Sequence, residues 1–123
     1  KWAVERTKAL LLVEHWRQDA ESTTPLKMRQ RYSSSFKAAG GENVDDWLRK
    51  TQGPLNGNAK VEVGVSDLDA FDYPGQDNLL AVSFVQTVTV GGTRQVVRKR
   101  QYWSLEAGQW KIVSESLIEP RKT

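Results

Sequence analysis

An α+β domain is the fold the sequence predicts, with three N-terminal helices packed on a curved, four-stranded, mainly antiparallel sheet. Three observations carry this. Apolar residues recur at helical spacing through the first third, the period drops to two from Ala59 onward, and glycine-bearing turns separate the β-rich runs. Helices grouped ahead of hairpin-linked strands place the helices on one sheet face.

The opening segment carries Trp2, Ala9, Leu12, Val13, Trp16 and Ala20 on one stripe, the pattern of an amphipathic helix. It stops in the polar cluster Glu21-Ser22-Thr23-Thr24. Thr24 is placed as the N-cap of a second helix and Pro25 as its first residue, where a missing N–H costs nothing. Met28, Tyr32 and Phe36, spaced four apart, extend that helix toward Gly40-Gly41. Asn43 can cap a third, short helix, with Asp46 at the capping-box position, Trp47 and Leu48 turned inward, and Gly53-Pro54 as the stop. Val61, Val63 and Val65 then alternate with Lys60, Glu62 and Gly64 as a strand does. The acidic stretch 69–78, with Pro74-Gly75 inside it, reads as an exposed loop. Runs 79–90 and 93–105 flank Gly91-Gly92, a two-residue hairpin signal because both central positions of a type I′ turn need positive φ. Glu106-Ala107-Gly108 turns a second hairpin into a last strand over 109–118.

At 123 residues the chain is sized for one domain, 1–123, with a core of its own. It has no cysteine, which excludes disulfides, thiolate metal sites and thiol catalysis. No apolar run approaches the roughly 20 residues of a membrane span. The net charge of +3 demands no polyanionic partner. Lys1 stands directly in a helical pattern, without a methionine or a signal-peptide hydrophobic region, which suggests a domain cut from a longer protein.

The candidates for chemistry are few. His15, the single histidine, has no histidine partner for a metal site or a triad, and no metal or cofactor is expected. Asp45-Asp46 suit a helix start, and Asp67, Asp69, Asp72 and Asp77 border the acidic loop. Glu115 lies beside Val113 and Leu117 on the last strand, and alternation leaves open whether it is a pocket acid or a salt-bridge partner. Gln86 is in line with Val82, Phe84 and Val88; Gln101 with Val97, Trp103 and Leu105; Ser114 and Ser116 with Trp110 and Ile112. If these rows face the helices, then Tyr32, Gln86, Gln101 and Ser114 form a neutral polar lining, with Trp47 turned in from the third helix. Such groups either bond one another or meet a ligand. The basic run Arg94, Arg98, Lys99, Arg100 is read either as a solvated outer sheet face or as a partner surface, in which Arg98 and Arg100 interleave with Tyr102.

Phe84-Val85-Gln86, the later string from Trp103 through Gly108-Gln109-Trp110-Lys111-Ile112-Val113 to Glu115, and Tyr32-Ser33-Ser34-Ser35-Phe36 resemble the nuclear transport factor 2-like domains and their SnoaL-like branch over roughly residues 16–115. Tyr32 to Phe36, Trp47 and the terminal Trp-Lys-Ile-Val-x-Glu further resemble the accessory domain of bacterial L,D-transpeptidase-type cell-wall proteins. The resemblance implies a cone-shaped, non-catalytic module of a periplasmic or otherwise secreted bacterial protein that binds a ligand, docks a partner or dimerises. Partners would be a second copy across the outer sheet face, a parent catalytic domain or a cell-wall component. Nucleic acid is not the expected partner. The alternative is a small free-standing SnoaL-like or ketosteroid isomerase-like enzyme acting on an apolar small molecule, with Glu115 as base and Tyr32 as hydrogen-bond donor. Ser114 and Ser116 stand where SnoaL-like sequences often carry histidine, a departure from the enzyme pattern.

Overall fold

The computed structural model describes residues 2–22, 24–55, 60–73 and 75–118. The side chains of residues 2–5, 72 and 73 are not included, so Trp2's predicted place on the helix stripe lies outside the described residues, as do Thr23, Ala59 and Pro74. The order is α1 (Trp2–Ser22), α2 (Pro25–Arg29), α3 (Val44–Thr51), a 3-10 turn (Gly53–Leu55), then β1 (Val61–Tyr73), β2 (Gln76–Val90), β3 (Thr93–Glu106) and β4 (Gln109–Ile118). The strands form one antiparallel sheet in chain order.

Helix α1 buries Ala9, Val13, Trp16 and Ala20 along one stripe, as the spacing requires. It also ties down an open sheet edge: the Arg17 guanidinium donates to the Val63 carbonyl at 3.1 Å, and Glu21 accepts from the Val63 amide at 2.9 Å. Gln52 closes the far end of α1 by donating to the Ala20 carbonyl at 2.8 Å. In α3 the Asn43 side chain accepts from the Asp46 amide at 2.9 Å, the predicted cap. Thr24 stands at the N-cap of α2 without a side-chain capping bond.

The second helix is shorter than its apolar spacing suggests. It ends at Arg29, and the following segment runs beside β4 instead. The Ser33 amide donates to the Ile112 carbonyl, the Ile112 amide to the Arg31 carbonyl, the Lys37 amide to Val113 and the Ala39 amide to Glu115, at 2.8–3.2 Å. Three consecutive serines favour local side-chain bonds over helix, and the Ser33 hydroxyl accepts from the Ser35 amide. Tyr32 and Phe36 thus still point into the core, from an irregular cover that blunts the β4 edge.

The predicted acidic loop over 69–78 is mostly strand. β1 continues to Tyr73 and β2 resumes at Gln76 around Gly75 (φ 80°). Two bulges reset the alternation. Between Ser66 and Asp69, β1 carries one extra residue against β2, with Asp67 at φ 53°. Val61 and Val63 face inward before it, Leu68 and Ala70 after it. In β4, Ile112 opposes Trp103 while Ser114 opposes Tyr102, so Val113 is the extra residue. Both remaining hairpins are two-residue turns with two positive φ values: Gly91-Gly92 (57°, 83°) and Ala107-Gly108 (50°, 81°).

Candidate functional site

The β4 bulge decides what enters the cone. Without it, Ile112, Ser114 and Ser116 would share a face; with it, Ile112 and Glu115 do, both 0% exposed. Ser114 opposes Tyr102 and Ser116 opposes Arg100, so both serines stand on the outer face. The predicted lining loses Ser114 and gains a carboxylate.

Three hydrogen-bond donors and one cation surround the Glu115 carboxylate. Tyr32 Oη donates to Oε2 at 2.8 Å and Gln101 Nε2 donates to the same oxygen at 2.8 Å. Trp47 Nε1 donates to Oε1 at 2.7 Å, and the Lys99 ammonium lies 3.3 Å from Oε1. A second ring of bonds orients these donors. Trp16 Nε1 donates to the Tyr32 hydroxyl at 3.1 Å, and Trp103 Nε1 donates to Gln101 Oε1 at 3.0 Å, which fixes the Gln101 amide with its NH2 toward Glu115. Lys99 sits 4.7 Å above the Trp16 ring, close enough for a cation–π contact. Burial, and then the charge of Glu115, push the Tyr32 hydroxyl well above its ordinary pKa, so it stays protonated and donating. Phe36 packs edge-on against Tyr32 at 5.2 Å and near Trp47 at 6.4 Å, closing the cone over this cluster.

A carboxylate offers about four lone-pair sites. Here three of them accept hydrogen bonds and the Lys99 ammonium stands 3.3 Å away, and Glu115 borders no part of the cavity at the cone's mouth. A group 0% exposed and held this way is out of reach of anything in that cavity while these bonds stand. Tyr32 likewise spends its hydrogen on Glu115 and accepts from Trp16. The pair named as base and donor in the enzyme alternative is therefore brought together as a sealed structural pair.

Tyr32, Trp47 and Gln101 are buried and satisfied by one another through Glu115. Gln86 is buried elsewhere, at the mouth. Arg98, Arg100 and Tyr102 lie on the outer face as alternation predicts, Arg100 exposed and the other two half-buried. Lys99 belongs to that basic run in sequence, yet it is 3% exposed and points into the cone. Its signal was parity: Lys99 falls between Val97 and Gln101 on the inward row. The neutral lining the sequence suggested is thus a charged one. Asp45 and Asp46 sit in the first turn of α3, paired with Arg29 and Arg49 at 3.3 and 2.8 Å. No group of acids and histidine among the described residues is arranged to hold a metal ion.

Three helices packed on an open, curved, four-stranded antiparallel sheet define the nuclear transport factor 2-like class. Residues 8–116 match the family described as the Cds6 C-terminal NTF2-like domain, and the chain belongs to it. No curated protein sequence matches. Among solved structures, the chain is similar to Bd1075 of Bdellovibrio bacteriovorus, with a TM-score of 0.78 and 21% identity over 96% of this chain and 41% of that one. It is similar to the helical cell shape determining protein Pgp2 from Campylobacter jejuni, with a TM-score of 0.74 and 15% identity over 91% of this chain and 40% of that one. The association domain of C. elegans CaMKII gives 0.73 and 10% identity over 94% and 96% of the two chains. At these identities the likeness is one of fold. The chain spans about two fifths of the length of Bd1075 and of Pgp2.

Proposed function

We propose that this domain is a non-catalytic binding and dimerisation module of a bacterial envelope protein, serving a catalytic domain or cell-wall component outside this chain. The observation that supports the non-catalytic half is the burial of Glu115 under hydrogen bonds from Tyr32, Gln101 and Trp47 and an ion pair with Lys99, which engages the one fully buried carboxylate among the described residues. Without cysteine, L,D-transpeptidase chemistry would have to reside in another domain. The envelope setting is supported by the sequence resemblance to accessory domains of cell-wall proteins and by the fold shared with Pgp2, whose description names cell shape. No described helix is long and apolar enough to cross a membrane.

Assembly would use the outer sheet face. Phe71, Ala81, Tyr102 and Ser114 form one cross-strand row there, with Arg98 and Arg100 in the adjoining rows. Phe71 is 50% exposed and Val96 on the same face 52%, apolar area that a second copy would cover. The likeness to an association domain fits this reading. Light scattering after size exclusion should give twice the chain mass, and Arg98→Glu with Arg100→Glu should return it to one. A wild-type monomer at high concentration, or a dimer indifferent to both charge reversals, refutes the outer face as the interface.

A further inference from the structure

The open end of the sheet, away from the Glu115 cluster, leaves a cavity of about 220 Å³. Val88, Val97 and Leu117 wall it with hydrocarbon, and Lys50 stands at its rim. Two of the polar side chains that border it are themselves deeply buried. Gln86 is 5% exposed, and its amide makes no side-chain hydrogen bond among the described residues. Lys99 is 4% exposed at its side chain and borders the cavity, with its ammonium 3.3 Å from Glu115 and 4.7 Å from the Trp16 ring and hydrogens to spare beyond the ion pair.

The Gln86 amide bonds no protein side chain among the described residues and is not sealed from solvent, so its polar atoms are open to the cavity, where a ligand can meet them. A buried ammonium adds a demand for acceptors. Among the described residues no aspartate or glutamate lines the cavity, while two lysines do, so their field at the mouth favours negative charge. Glu115 balances Lys99 from behind, and Lys50 is shared at the surface with Glu42 at 3.4 Å, a weak exposed pair. One added carboxylate therefore suits the site. At about 30 Å³ per water the cavity equals roughly seven waters, enough for a carboxylate with about three to five carbons.

We propose that the cone mouth is a receptor for a carboxylate on a short apolar body, whose two oxygens are taken by the Gln86 amide and the Lys99 ammonium. This rests on reading the domain as a binding module, and is independent of its dimerisation. Either a free short-chain acid or the C-terminal carboxylate of a peptide presents this chemistry.

Titration of the protein with isovalerate, N-acetylalanine and N-acetylalaninamide, followed by calorimetry and by the Gln86 side-chain amide resonances, tests it. The two acids should bind and move the Gln86 signals, and the uncharged amide should not. Binding of N-acetylalanine alone would assign the site to peptide C-termini, and binding of isovalerate to free acids. Gln86→Leu should weaken binding about tenfold or more through loss of a charge-assisted hydrogen bond. Gln86→Glu keeps the shape, places like charge against the ligand, and should abolish binding. No binding of either acid, equal binding of the amide, or unchanged affinity in either variant overturns the proposal. Chemical conversion of a bound probe would instead overturn the non-catalytic reading while leaving the site standing.

Discussion

Replacing Glu115 by glutamine changes two atoms' chemistry and almost no volume, so its cost isolates the buried cluster. The carboxylate is 0% exposed, accepts two hydrogen bonds at Oε2 and one at Oε1, and has the Lys99 ammonium 3.3 Å from Oε1. Whichever oxygen becomes NH2 will face a donor with another donor, so at least one arrangement on that side must break. Lys99, 4% exposed, loses its only ion-pair partner among the described residues. Breaking a buried pair by removing one member costs about 3–5 kcal/mol, mostly for the charge left behind. With a urea slope near ~1.5 kcal/mol per molar, that lowers the unfolding midpoint by about 2–3 M. Far-UV circular dichroism and tryptophan fluorescence should report the same transition, since Trp16, Trp47 and Trp103 all belong to the cluster. Lys99→Met on top of Glu115→Gln should recover part of the loss, a coupling of about 0.5–3 kcal/mol. A midpoint shift below about 0.5 M, or a double variant no more stable than Glu115→Gln, would refute the claim that a buried ion pair holds the cone closed.

Two further predictions concern Tyr32 and the last hairpin. Because the Tyr32 hydroxyl is raised above its ordinary value in the folded state, the native protein keeps a proton that the unfolded chain releases. That stability is intact below about pH 10 and is lost as pH rises toward the folded value, so Tyr32→Phe should be less stable at neutral pH yet show a flatter decline above pH 10. Urea midpoints between pH 8 and 11 check this, and parallel curves for the two proteins would contradict it. Ala107 is exposed and holds φ 50° in its turn, where an L side chain costs about 1–2 kcal/mol. Ala107→Gly should raise the melting temperature by a few degrees after the entropy of glycine is subtracted, and a lower melting temperature would count against the turn geometry.

Much of this architecture could be read from spacing alone. The α1 stripe, the Asn43 cap and the Gly91-Gly92 turn follow from local rules, and each is found where those rules put it. What spacing could not supply is parity across a bulge. Val113 is an ordinary strand residue with no glycine beside it, yet its insertion turns Glu115 inward and Ser114 outward. In β1 a signal existed, because aspartate tolerates the left-handed conformation that Asp67 adopts. The cut-off of α2 was hidden for a different reason: Tyr32 and Phe36 keep helical spacing while their backbone bonds to β4. Lys99 was legible by alternation and obscured by its neighbours, since a run of cations suggests solvent before it suggests a core.

The bulge and the cluster explain each other. A one-residue slip of β4 against β3 would carry every side chain beyond Val113 to the opposite face. Glu115 would move outward, and Tyr32, Gln101, Trp47 and Lys99 would lose their common acceptor inside the cone. Each buried donor left unmade costs about 1–3 kcal/mol, so several together exceed what an unbulged ladder could return through one or two added backbone bonds. Glu115 thereby pins the register of the last strand, and by anchoring Lys99 from behind it sets where that ammonium meets the mouth. The carboxylate that a catalytic reading would have spent on a substrate is used instead to hold the last strand in register.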